Sequence, residues 1–150
     1  MPHVDYISLS SSFNKSIGAP EADFLINNKD LSKQIYTESN ISPLSGKPDF
    51  QKDVISWFLL EESCAELGGR VPVAVCHYCG GFECGCFTIR ISQEDDLMIW
   101  HHLRYTSLDE YQEFEDSGEE YTVFKFFKRK FKIDQYREVF QLYRNQLNGS

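Results

Sequence analysis

Four of the five cysteines of this 150-residue chain fall within the eleven-residue stretch Cys76-His77-Tyr78-Cys79-Gly80-Gly81-Phe82-Glu83-Cys84-Gly85-Cys86. A Cys-x2-Cys knuckle holds zinc from two sides, and the thiolates of Cys76, Cys79, Cys84 and Cys86 would complete a closed tetrahedral structural site. The spacing departs from that of zinc ribbons, which take their two knuckles from separate hairpins with many more residues between them. The competing reading makes the cysteines small apolar residues at the crowded end of a hairpin, where glycines permit close approach of the backbone. A redox role for Cys76 and Cys79 is weaker, because no helix start follows the strand to lower a thiol pKa. The first residues lack a cationic stretch leading into an apolar run, so the thiols are expected to be reduced, inert or metal-bound.

His101 and His102 follow Trp100 at the end of an expected strand. Neighbours on a regular strand point to opposite faces, which predicts that the two imidazoles cannot both face one metal or one substrate without distortion of the strand. A hydrolase centred on them would need a carboxylate partner or a nucleophile at recognisable spacing. The chain offers no Gly-x-Ser-x-Gly, no His-Glu-x-x-His and no phosphate-binding glycine loop, so it is read as a non-catalytic protein. Seven acids, Asp109, Glu110, Glu113, Glu115, Asp116, Glu119 and Glu120, then occur with no Lys or Arg among them. Such a run is either a solvated face or a contact surface for a basic partner. The basic stretch that follows, with Phe124, Phe126, Phe127 and Phe131 interleaved, has the composition of a base-stacking surface. Aromatics at these spacings more often fill a core while the lysines keep a strand edge soluble.

Ser, Asn, Pro and Gly are frequent in the first 50 residues, where loops are expected to dominate around short strands at 4–9 and 24–26. From 49 to 67 the apolar residues Phe50, Val54, Trp57, Phe58, Cys64 and Leu67 recur at three- and four-residue steps, which predicts a buried helix ended by Gly68 and Gly69. Residues 70–76, 84–91 and 97–103 read as three strands of an antiparallel meander, and 121–127 as a further strand-like run. The last helix carries Asp134 as candidate N-cap and a stripe of Tyr136, Val139, Phe140, Tyr143 and Leu147. The expected architecture is α+β: an antiparallel sheet of about 4–6 strands with a long central helix and a C-terminal helix. One domain is expected over 1–150, with a loop-rich part at 1–50 and the main core at 50–147.

The 41% hydrophobic residues suffice for one core, and a net charge of −8 argues against general affinity for nucleic acid or anionic membrane. No stretch reaches the roughly 18 apolar residues that a membrane-spanning helix needs, and the chain is expected in the cytoplasm.

Three pieces of the chain resemble bacterial immunity proteins of polymorphic and contact-dependent growth inhibition toxin systems. They are the cysteine-glycine turn at 75–85 leading into Phe87-Thr88-Ile89-Arg90-Ile91, the strand ending in Ile99-Trp100, and the aromatic strand leading into Asp134-Gln135-Tyr136-Arg137-Glu138-Val139-Phe140. The resemblance spans the middle and end of the chain, about half of its length, and the first 50 residues show no such likeness. The resemblance implies an α+β, cytoplasmic, non-catalytic protein that occludes a cognate toxin domain. Many such toxins are nucleases with basic clefts, which an acidic inhibitor matches in charge. The resemblance supplies no catalytic residues. Two alternatives remain: a small zinc-stabilised adaptor using the four cysteines, and a hydrolase using His101 and His102.

Overall fold

The computed structural model describes residues 3–31, 40–76, 85–106 and 127–149. The fold is α+β, as the sequence predicts, with two antiparallel sheets and two helices among these residues. Strands β1 (Ile7–Asn14) and β2 (Ala19–Ile26) pair along their full length, and β3 (Lys29–Asp30) adds briefly to β2. The expected dominance of loops over the first 50 residues is therefore corrected. β1 is rich in serine because its second half, Ser10 to Phe13, is exposed on both faces, so it lacks the apolar signal of a central strand. Its partner alternates properly, burying Ala22, Phe24 and Ile26.

The second sheet has the order β4-β5-β6-β7-β8, made of Asn40–Ile41, Val71–Cys76, Cys86–Glu94, Leu97–Thr106 and Lys128–Lys132. Its centre is the expected meander, each strand antiparallel to the next. The basic stretch is itself the strand β8; residues 121–126, expected to be strand-like, lie outside the described residues. Within β8, Phe131 enters the core while Lys128 and Lys132 stay exposed, the pattern by which an edge strand remains soluble. The free edge is also covered locally. Asp5 bridges to Phe131, its amide donates to the Lys130 carbonyl at 2.7 Å, and its carboxylate accepts the Lys130 amide at 2.9 Å.

Helix α1 spans Pro48–Phe58, with Pro48 in the first turn where its missing N–H costs nothing. It ends well before the Leu67 expected from the apolar spacing. Leu60 adopts φ +59°, its amide bonds to the Trp57 carbonyl, and the Glu61 amide reaches the Ser56 carbonyl at 2.9 Å. This is the double closure in which glycine usually sits, made here with leucine. Gly68 and Gly69 instead close a short 3-10 turn at Ala65–Leu67. Cys64 and Leu67 continue the three- and four-residue spacing because that turn packs on the same core, not because the helix continues.

Helix α2 spans Ile133–Asn148, and the predicted stripe is correct in that Tyr136, Phe140, Tyr143 and Leu147 are buried. Asp134 is not the N-cap. β8 runs directly into the helix, Lys132 takes the cap position without a side-chain bond, and the Ile133 amide is satisfied by the Asp96 carbonyl at 2.9 Å. Asp134 sits in the first turn, where a carboxylate faces the positive end of the helix dipole.

One apolar core joins both sheets and both helices, so it begins at Ile7 rather than at residue 50. Trp100 is at its centre, edge-on to Phe24 and Phe131 at 5.9 and 5.1 Å. The Trp100 indole N–H donates to the Tyr136 hydroxyl at 3.1 Å, which donates to the Phe58 carbonyl at 2.7 Å. Burial pushes the Tyr136 phenol up, so it stays protonated and the chain of donors stays intact. Tyr143, also raised by burial, donates to Gln51 at 2.6 Å, and the Gln51 amide nitrogen bonds the Pro20 and Gly46 carbonyls.

Gly85, just ahead of β6, has φ +110°, and a Cβ there would lie 2.8 Å from the Tyr105 ring carbon Cζ. Glycine is required twice, for the backbone conformation and for the aromatic contact. Gly85→Ala is expected to cost about 1–3 kcal/mol. A chemical denaturation midpoint equal to that of the parent would contradict this reading.

Candidate functional site

Thr88 pairs with Arg104 and Arg90 with His101, so His102 and Leu103 on β7 stand opposite Ile89 alone on β6. This is a β-bulge, and His102 takes φ +55° within it. A bulge re-aims side chains that a regular strand would send to opposite faces. The ring centroids of His101 and His102 accordingly lie 4.6 Å apart with planes at 71°, and the two Nδ1 atoms meet in a hydrogen bond. Neighbouring histidines are expected to face one point only with distortion of the strand, and the bulge at His102 and Leu103 is that distortion.

The bulge is held from beneath. Arg70, fully buried just ahead of β5, donates from Nε to the Thr88 hydroxyl at 2.8 Å. Its terminal nitrogen donates to the Thr88 carbonyl at 3.0 Å and to the carbonyl of His102. Bulged residues lose ladder partners, and a buried carbonyl needs a donor; the guanidinium fork supplies several in fixed geometry. Arg70 therefore positions His102 without touching the cleft above it.

That cleft has a volume of about 450 Å³ and is lined by Ser92, Glu94, Ile99, His101, His102, Phe127 and Lys128. The Ser92 hydroxyl lies 3.3 Å from His101 Nε2, so both nitrogens of this ring are engaged, one toward Ser92 and one toward His102. Sequence reasoning missed Ser92, Lys128 and Arg70. Ser92 follows from the ladder, since it pairs with Ile99 two residues before His101 on the same face. The signal for Arg70 was a single cation at the start of an apolar run.

The cysteine cluster is only partly within the described residues. Cys86 is buried in the apolar core, as the small-residue reading expects, Cys76 is half-buried on β5, and Cys79 and Cys84 lie outside the described residues. The fifth cysteine, Cys64, is buried as well, which pushes its thiol up to about 12 and makes it a poor nucleophile. Asp109, Glu110, Glu113, Glu115, Asp116, Glu119 and Glu120 all lie outside the described residues, on the connection between β7 and β8. Among the described residues no three His, Cys, Asp or Glu side chains form a group able to hold a metal, and no helix is long and apolar enough to cross a membrane.

Fold and cleft together define an α+β domain with an imidazole pair at a bulged strand. No family model, curated protein or solved structure matches the chain.

Proposed function

We propose that the protein is a non-catalytic binding protein that neutralises a basic partner by covering it, as an immunity protein covers its cognate toxin. The partner best suited in charge is a nuclease domain, whose basic active-site region attracts phosphate. Charge segregation carries this reading. The described residues hold thirteen Lys and Arg against fourteen Asp and Glu, close to neutral, whereas 107–126 holds seven acids against Lys125 alone. Acidity that served only solubility would be spread over the surface. Concentrated on one connection, it raises the rate of encounter with a cationic surface and pairs with Arg and Lys once bound.

The partner is found by co-purification of the tagged chain from its native host followed by mass spectrometry, and a stoichiometric basic protein is the expected result. Association is then followed by stopped flow with Asp109, Glu110, Glu113 and Glu115 changed to their amides. The rate at low salt is expected to fall by about tenfold or more, with the gap closing as salt screens the charges. Equal rates for parent and variant would remove the acidic run from the mechanism.

A further inference from the structure

We infer that His101 and His102 form a site for one late first-row divalent metal ion of the Zn²⁺, Ni²⁺, Cu²⁺ class, bound through both Nδ1 atoms. Imidazole nitrogen is the ligand these ions share, and two such nitrogens converge here because of the bulge. Metal–nitrogen bonds of about 2.0–2.1 Å place two neighbouring ligand nitrogens about 3 Å apart. Two rings already in hydrogen-bond contact reach that separation by small side-chain rotations. The proton between the two Nδ1 atoms leaves when the ion enters, as metal ligation requires.

The surroundings suit an ion as well as the pair does. Once His101 ligates through Nδ1, its Nε2–H points at the Ser92 hydroxyl 3.3 Å away, the type of outer contact that fixes a ligating ring. The cleft of about 450 Å³ has room for the waters that complete the coordination. Its two fixed charges, Glu94 and Lys128, are opposite in sign and do not bar a cation. Arg70 holds the His102 carbonyl from the core side, so the arrangement exists before any ion arrives and little ordering accompanies binding.

The test is calorimetric titration of the full chain with NiCl₂, accompanied by absorption spectra. His101→Gln and His102→Asn are the variants; asparagine tolerates the left-handed conformation of residue 102, so the bulge is retained. The parent is expected to bind one Ni²⁺ without a thiolate charge-transfer band. Each variant is expected to lose that binding by tenfold or more, and Ser92→Ala to weaken it by about tenfold. His3→Ala, which alters the histidine paired with Asp5 far along the chain, is expected to leave it unchanged. No binding by the parent would overturn the inference. So would binding that survives in the His101→Gln, His102→Asn double variant, or that carries a thiolate band and disappears with Cys79→Ser and Cys84→Ser.

Discussion

Trp100→Ala is expected to destabilise the protein by about 3–5 kcal/mol, enough to lower the melting temperature by about 10–15 °C in a domain of this size. Trp100 is fully buried, and the rings of Phe24, Phe58, Phe131 and Tyr136 lie within 6.3 Å of its own. These rings come from β2, α1, β8 and α2, so the cavity would open where both sheets and both helices meet. No one of them can close it without leaving the others. The truncation also takes the indole N–H from the Tyr136 hydroxyl, which keeps its own donation to the Phe58 carbonyl. Packing is therefore the larger part of the loss. Trp100→Phe, which keeps most of the apolar volume and lacks the N–H, separates the two contributions. It is expected to cost less than half as much by thermal or urea denaturation. Equal losses for the two variants would make the hydrogen bond, rather than the packing, the dominant contribution.

The parts of this fold legible in the sequence are those in which one physical signal acts alone. β5, β6 and β7 are read from β-branched and alternating residues because nothing in that stretch competes with sheet formation. α2 is read from its stripe because Tyr136, Phe140, Tyr143 and Leu147 face one core throughout. Elsewhere two signals mix. Val54, Trp57 and Phe58 belong to a helix, Leu67 to a 3-10 turn and Cys64 to the cap before that turn, yet all five are buried in the same core and so share one spacing. Only the left-handed Leu60 separates them, and leucine carries no local signal for that conformation. In β1 the serines that favour turns occupy a strand whose partner supplies the apolar face.

The site was less legible than the fold for a related reason. Identity of residues is written in the sequence, but the register of β6 against β7 is a property of the pair. A bulge changes which side chains share a face without changing any residue type. The residue types of His101 and His102 announce ligand chemistry, but a regular strand sends such neighbours to opposite faces, and the bulge is what brings them together. The one clue to the irregularity lay eighteen residues before Thr88, in a buried cation whose partners are backbone carbonyls and a hydroxyl on another strand.

That cation gives the prediction linking core to cleft. Arg70→Met is expected to lower stability by about 2–4 kcal/mol and at the same time to weaken Ni²⁺ binding at His101 and His102. Two opposing effects decide the sign. Removing a buried guanidinium recovers the cost of desolvating it, and methionine refills much of the volume, so replacement of a buried charge by an apolar residue is often neutral. Here, however, the acceptors include the backbone carbonyls of Thr88 and His102, which no side-chain replacement removes. The Thr88 carbonyl is buried, and a buried carbonyl left without its donor costs about 1–3 kcal/mol, so the loss of partners wins. Relief comes only if the bulge opens to water, and that turns His102 away from His101. Arg70→Lys is expected to behave like Arg70→Met, since one ammonium cannot reproduce a fork that serves the Thr88 hydroxyl, the Thr88 carbonyl and the His102 carbonyl together. Urea denaturation and Ni²⁺ titration of the same samples check both halves. A stability loss with metal binding intact would separate the guanidinium from the histidine pair, and an unchanged denaturation midpoint would show that the carbonyls find other donors.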